Sequence, residues 1–498
     1  MELQFETESC CCLRQPVREI RRQEACQEVR LPEELPDIGH IVGAWGQMIL
    51  RGKQWMGNAM QASLGIMAWV LYAPEDGSAC RPVEAWIPMQ MKWEMPETDR
   101  EGTMCIQGGL CQIDARTISP RKLSVRAEAA VLGQAWERME VQISKPTAMP
   151  EGVELLTNTY PVTLLQEAGE KTFSIEETLR LPDGQPEPER IIRWELQPRI
   201  AEQKVLGAKL VFRGTAVLHL LYQTREGSLN GWDFELPFSQ LAELEQTFTQ
   251  EARGQVVPVV TNLELDRTEE GLSLRCGLVG QYQIFDRVQL ELPEDAYSPG
   301  KEVTARSRTV QLPRLLDSFE KTLEMEASGP MDGGRIVDVC FLPQPPRLQR
   351  SGDEVRTELG GMALLLLETE EGKLESRRAG CSGTLQCRAE ASTSPEPSLL
   401  PPEPPQVRTG NGAFQIHMEQ PLRLQTFTDA GAAMLEAVTV GAEKQLQGDR
   451  PTLVLRRFEE ESLWALAKRC GSTVESIRRM NHLEAEPLSG QMLLIPVI

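Results

Sequence analysis

LHLLYQTREG at residues 218–227 repeats AWVLYAPEDG at residues 68–77, at a separation of 150 residues. Each copy is a short apolar run carrying a tyrosine and ending in a charged turn closed by glycine, the pattern of a buried strand entering a hairpin. The match extends outward on both sides. Downstream, EAWIPMQ at 84–90 answers FELPFSQ at 234–240, with Pro88 against Pro237. Upstream, EVRLPEELPD at 28–37 answers TLRLPDGQPE at 178–187. A third, weaker copy is MALLLLETEEG at 362–372, in which Glu368 replaces the tyrosine. Recurrence at a near-constant interval predicts three related units of roughly 145 to 150 residues in tandem.

Within each unit the apolar runs are short, about five to eight residues, too short for long helices and suited to strands. Leu272, Leu274 and Cys276 alternate with Ser273, Arg275 and Gly277, as a half-buried strand requires. The 34 prolines are spread along the chain and leave little room for helix interiors. The expected fold is therefore mainly β, with three tandem β-sandwich-like repeat units at 1–145, 150–290 and 295–445. Linkers are expected near 142–155, 286–300 and 440–450. The proline run SPEPSLLPPEPP at 394–405 reads as an exposed loop.

The last segment, 450–498, has a different pattern. TLVL at 452–455 suits a strand, and Leu463, Leu466, Ala467 and Cys470 form one apolar helical stripe. Gly471 is placed to end that helix in a left-handed conformation. Ser472 to Glu475 reads as a capping box opening a second helix, with Val474, Ile477 and Met480 on its buried face. MLLIP at 492–496 supplies a second strand. Strand, helix, helix, strand is a small α+β module (βααβ). Trp464 lies beside the stripe, so it is expected to be either partly exposed or packed under the second helix.

SLWALAKRCGSTVESIRRMN at 462–481 and LSGQMLLIP at 488–496 resemble the LysM domain at the helix phase, the Gly and Thr-Val junction, the terminal Asn and the closing strand. That family usually carries a Gly-Asp pair before the first helix, in the turn that lines its glycan groove; this chain has Glu460 and Glu461. The resemblance implies the LysM fold with an altered glycan turn. Candidate contact residues for a partner or glycan groove are Glu460, Glu461, Ser462, Trp464, Asn481, His482 and Leu483. Lys468, Arg469, Arg478 and Arg479 form a basic side suited to an acidic partner.

Composition excludes several functions. A formal charge of −21 disfavours sequence-independent binding to nucleic acid or anionic membrane. From Arg450 onward seven basic residues stand against six acidic ones, so the acidity lies in the repeats. MELQFETES at 1–9 lacks a basic start and apolar core, so no secretory signal is expected. No transmembrane segment is expected, since no stretch approaches ~20 apolar residues. The 12 cysteines are expected to be reduced thiols in a cytoplasmic protein, and no metal or cofactor site is expected. Nor is a catalytic site: no phosphate loop, zinc helix or serine elbow is present. Of the four histidines, His219 sits in an apolar strand and reads as a satisfied histidine. The tryptophans Trp45, Trp55, Trp69, Trp86 and Trp93 read as core, with a sugar platform as the alternative.

The β-rich repeats followed by one terminal LysM-like module resemble the SPOCS-type spore coat morphogenetic proteins of endospore-forming Firmicutes. VLHLLYQTREG at 217–227 and FELPFSQ at 234–240 carry that resemblance best. It implies a non-enzymatic scaffold of the mother-cell cytoplasm, localised to the forespore and spore coat surface. Its LysM-like module would bind a coat-basement morphogenetic ATPase of the SpoIVA type, or another spore coat protein. The alternative is a peptidoglycan-binding LysM protein of the cell wall or cortex.

Overall fold

The computed structural model describes residues 5–96, 102–147, 150–269, 271–331, 333–410, 412–444, 451–459 and 461–498. The fold is mainly β. The first six strands are β1 (Phe5–Arg30), β2 (Ile38–Met56), β3 (Ala59–Pro74), β4 (Arg81–Glu94), β5 (Gly102–Ser119) and β6 (Lys122–Pro146). They form two antiparallel three-stranded sheets, in order β2-β3-β4 and β1-β6-β5. Strand periodicity places alternate side chains on one face. In β4 this buries Val83, Ala85, Ile87, Met89, Met91 and Trp93 while their neighbours face outward. These meet Ile106, Leu110, Leu123 and Val125 from the other sheet in one core, a sandwich-like arrangement.

The next six strands repeat the plan: β7 (Glu154–Leu179), β8 (Pro188–Val205), β9 (Lys209–Thr224), β10 (Leu229–Glu243), β11 (Arg253–Thr268) and β12 (Gly271–Tyr297). Their strands run β8-β9-β10 in one sheet and β7-β12-β11 in a second, which continues past β7 into the strands that follow. The repetition extends to irregularities. Register slips in β2 at 38/40, 41/43 and 50/52 recur in β8 at 188/190, 191/193 and 200/202. Bulges re-aim side chains, so they mark a shared design more sharply than strand positions do.

The third set is β13 (Lys301–Val310), β14 (Arg314–Pro330), β15 (Arg335–Pro343), β16 (Arg347–Ser351), β17 (Glu354–Glu368), β18 (Leu374–Arg388), β19 (Ser394–Leu399), β20 (Gln406–Gly410), β21 (Ala413–Thr428) and β22 (Ala432–Glu443). Two strands that are continuous in the earlier sets are broken here. β15 and β16 share the partner β17, separated by Pro345 and Pro346; β19 and β20 share β21, separated by the prolines of 401–405. Proline cannot donate to a ladder, which accounts for both breaks. β13 and β22 form an additional pair.

The charged turns are alike in all three sets, and five positions before their glycines stand Tyr72, Tyr222 and the buried Leu367, not the expected Glu368. Gly77, Gly227 and Gly372 each take a left-handed φ of 73°, 88° and 77°. Each donates its N–H to the residue three positions back, Pro74, Thr224 and Thr369. The repeated tyrosine has a structural use in the first set: Tyr72 is fully buried and its hydroxyl donates to the Pro36 carbonyl at 2.9 Å, tying the LPEELPD turn to β3.

Three expectations need correction. Residues 286–297 are not a linker but the end of β12, which pairs with β7 as far as Tyr297 opposite Glu154. Part of the proline run is strand, because β19 pairs with β21 at Ser394 to Leu399. The strands are also far longer than the apolar runs, reaching 26 residues in β1 and 27 in β12, since polar alternation continues the pleat.

The units share their cores. Ile192, Leu221 and Leu229, together with Cys340, Leu342, Leu364 and Leu366, join the core of the first set, while Ile49 and Trp69 join that of the second. Trp45, Trp69 and Trp93 are almost wholly buried, which assigns them to packing. The 12 cysteines are free; Cys11 is exposed and Cys12 buried, as strand alternation dictates. No helix among the described residues is long and apolar enough to cross a membrane.

Candidate functional site

The terminal module pairs β23 (Leu453–Arg457) with β24 (Met492–Pro496) and packs α1 (Leu463–Cys470) and α2 (Val474–Asn481) against them. Phe458, Leu463, Leu466, Ala467, Ile477, Leu493 and Ile495 are its buried apolar residues. Ser462 caps α1, accepting from the Ala465 N–H at 3.1 Å, and Gly471 ends it at φ 66°. The second cap is Thr473 rather than the expected Ser472: its hydroxyl accepts from the Ser476 N–H at 3.1 Å. Ser472 lies one position too early, and its own N–H donates to Ala467 O at the end of α1.

The module sits on the end of β12. Trp464 Nε1 donates to Asp295 Oδ2 at 2.8 Å, and Lys468 Nζ bonds both oxygens of the same carboxylate at 2.8 Å. The Tyr297 ring meets Trp464 edge-on, with centroids 4.7 Å apart, and its hydroxyl donates to Ser472 O at 2.9 Å. Burial works against the Asp295 charge, but the bonds from Lys468 and Trp464 outweigh it and hold the carboxyl below its ordinary range. Trp464 is thus half-buried against β12, which meets the first of the two expectations, partial exposure. Asp295 and Tyr297 had no signal in the sequence beyond an unexplained tryptophan beside the helical stripe.

Several other candidate residues are engaged within the module. Glu461 pairs with Arg469 at 2.6 Å and Arg478 with Glu486 at 3.3 Å. Asn481 donates to Leu494 O at 2.6 Å and accepts from the Leu494 N–H at 2.8 Å, fixing α2 to β24. His482 is exposed in a left-handed cap at φ 54°, Leu483 is half-buried, and Arg479 is exposed with no ion pair among the described residues. Glu460 lies outside the described residues.

Two family models match the chain: the SipL, SPOCS domain over residues 187–267, and the LysM domain over residues 459–496. The chain thus carries a match to the SPOCS domain and, after it, a match to the LysM domain. The resemblance read from the sequence, to SipL-like spore coat morphogenetic proteins, is met at both places. No curated protein and no solved structure matches the chain. Both matched families are non-catalytic, and the pair fits a spore coat-associated protein with a LysM module.

The SPOCS match covers β8 to β11, and its most polar feature is buried. Arg193, 1% exposed, donates from Nε to Asp338 Oδ2 at 2.6 Å and from Nη1 to Glu195 Oε2 at 3.0 Å. The Trp45 ring lies 5.8 Å from its guanidinium carbon. His219 stands between Asp233 at 2.5 Å and Asp338 at 3.1 Å. Burial depresses its pKa, but the two carboxylates together overcome this and raise it to about 9. Arg193 and Asp338 each follow a bulge, at 191/193 and 336/338, that corresponds to 41/43 in β2. The repeat therefore brings equivalent positions of the second and third sets together as a buried ion pair beneath a tryptophan of the first.

Proposed function

We propose that this chain is a non-enzymatic spore coat morphogenesis scaffold. Three repeat units, at 1–145, 150–290 and 295–445, carry a LysM-like module at 450–498 that binds a coat-basement morphogenetic ATPase and tethers the coat to the forespore surface from the mother-cell cytoplasm. The observation that carries this reading is the presence of a SPOCS match and a LysM match in one chain. Further support comes from the module itself. Its usual Gly-Asp glycan turn is replaced by Glu460 and Glu461, and Ser462 and Asn481 are committed to capping and to β24. The contact face in this reading comprises Glu460, Glu461, His482 and Leu483 with Arg478 and Arg479, while Trp464 and Lys468 hold the module on Asp295.

The test is a pair of binding measurements on the full-length chain, one with the purified coat-basement ATPase and one with purified peptidoglycan sacculi. Retention of the ATPase without sedimentation on sacculi is expected. Sedimentation on sacculi with no retention of the ATPase would replace this reading by that of a peptidoglycan-binding LysM protein.

A further inference from the structure

Seven of the fourteen large apolar side chains exposed among the described residues lie between 453 and 498, about a tenth of the chain. Four of them share one face of the two-stranded sheet. Leu453 and Leu455 on β23 are 44% and 60% exposed, and Met492 and Leu494 on β24 are 52% and 38% exposed, with Leu455 directly opposite Leu494. Such concentrated apolar exposure on a small module marks an interaction surface.

The backbone of the same sheet shows how a partner would engage. Val497 donates to Thr452 O, Phe458 donates to Gln491 O, and Gly490 donates to Phe458 O. In an antiparallel pair the bonded rungs alternate, so 452, 454, 456 and 458 face β24. The N–H and C=O groups of Leu453, Leu455 and Arg457 therefore point away from it, along an edge with no partner among the described residues. The opposite edge is different. The Asn481 side chain occupies both backbone groups of Leu494, and Pro496 has no N–H to offer. The β24 edge is blocked at Leu494 and Pro496, and the β23 edge is open. A two-stranded sheet is marginal alone, and a third strand would extend both its ladder and its apolar face.

We propose that the β23 edge receives an extended strand from a partner protein, with apolar residues on the face of Leu453 and Leu455 alternating with carboxylates on the opposite face, beside Arg456. Arg456 and Arg457 are exposed and neither has an ion pair among the described residues. The charge pattern decides between occupants. Two copies of a chain of net charge −21 repel one another, and antiparallel pairing of β23 with a second β23 would set arginines beside leucines and arginines with no carboxylate to meet them. An apolar and acidic strand satisfies edge, face and charge together, by the strand-addition mode in which main-chain bonds give affinity and alternate side chains give specificity. This inference rests on the reading that the LysM-like module binds a protein.

The probe is a fluorescein-labelled peptide of alternating valine and glutamate, seven residues long, with the valine–lysine peptide as its counterpart, both titrated onto the full-length chain by anisotropy. The acidic peptide is expected to bind at least tenfold more tightly than the basic one and to slow hydrogen exchange at 453–457. Leu455→Pro removes an outward N–H while leaving the bonded rungs intact, and should abolish binding. Arg456→Glu should invert the preference in favour of the lysine peptide, an outcome that a misfolded variant cannot produce. Absence of binding, equal binding of both peptides, or unchanged affinity in Leu455→Pro would overturn the proposal. So would a concentration-dependent dimer in sedimentation that Leu455→Pro abolishes, since a second copy would then fill the edge. Retention of the ATPase without peptide binding defeats this proposal and leaves the scaffold reading standing; the reverse result defeats that reading alone.

Discussion

Replacing His219 should remove most of the alkaline sensitivity of this protein. His219 lies on β9 between Asp233 on β10 and Asp338 on β15, with Arg193 and Glu195 on β8 and Cys340 on β15 completing its surroundings. Burial lowers its pKa, but the two carboxylates raise it from 6.5 to about 9. A histidine held so far above its value in the unfolded chain contributes roughly 3 kcal/mol, because each pKa unit corresponds to about 1.4 kcal/mol. The side chain is a quarter exposed, so solvent screens this only in part. The charged form is the stabilised one, so the contribution is complete below pH ~6.5 and is lost as pH rises through about 9. With a urea slope of about 3 kcal/mol per molar, the midpoint should fall by about 1 M across that window. His219→Gln should start lower at pH 6.5 and show a much flatter profile. The assay is urea unfolding followed by tryptophan fluorescence between pH 6 and 10, with an NMR titration of the histidine carbons, assigned by subtraction among four histidines. Parallel profiles for the two proteins, or a His219 titration near 6.5, would refute the reasoning.

Other perturbations test other parts of the assembly. Asp338→Asn leaves the Arg193 guanidinium buried with Glu195 as its remaining carboxylate partner, and should cost about 3–5 kcal/mol in urea unfolding. Changing Arg193 and Asp338 together to leucine should recover much of that loss, since a buried pair replaced by apolar groups is often neutral. Asp295→Ala removes the partner of both Trp464 and Lys468; a red shift in tryptophan emission and several-fold faster release of the module by limited proteolysis are expected. Arg478→Glu combined with Arg479→Glu should weaken partner binding about tenfold by charge reversal without changing the circular dichroism. Unchanged affinity in a pull-down would remove that face from the site.

The sequence carried more of the fold than of the site, for physical reasons. Tandem copies were legible because the hairpin from β3 to β4 needs a strand, a left-handed glycine and a second strand in fixed order, and that order survives substitution from AWVLYAPEDG to LHLLYQTREG. Strand lengths were not legible, because segments such as FETESCCCLRQ at the start of β1 are held by pairing with β6 rather than by their own apolar content. The helix caps were readable to within one residue, as Thr473 in place of Ser472 shows, since hydroxyl residues at neighbouring positions compete for the same role. Contacts across long separations were invisible. Arg193 and Asp338 are 145 residues apart and Asp295 and Trp464 are 169 apart, so nothing in local periodicity links them.

The extent of the SPOCS match has a consequence for how such a domain folds. Residues 187–267 supply β8, β9, β10 and β11, but β11 forms its ladder with β12, which pairs in turn with β7. The matched segment therefore holds one complete sheet and a single strand of the second. Its outward face carries Ile192, Leu221 and Leu229 into the core of the first unit, and Arg193 into an ion pair with the third. Cut out alone, it would place three apolar side chains and an unpaired core guanidinium in water and leave β11 with an open edge, a combination that favours aggregation. The three repeats are accordingly expected to fold as one set, with the recurrent bulge making their closure specific. The same backbone geometry presents glycine at 43, arginine at 193 and aspartate at 338, so only the second and third units can form the buried ion pair. A chain ending after residue 298 would retain Arg193 without Asp338, and we expect it to be recovered insoluble or as oligomers. Recovery of a soluble, cooperatively unfolding monomer from residues 1–298 would show instead that two units suffice.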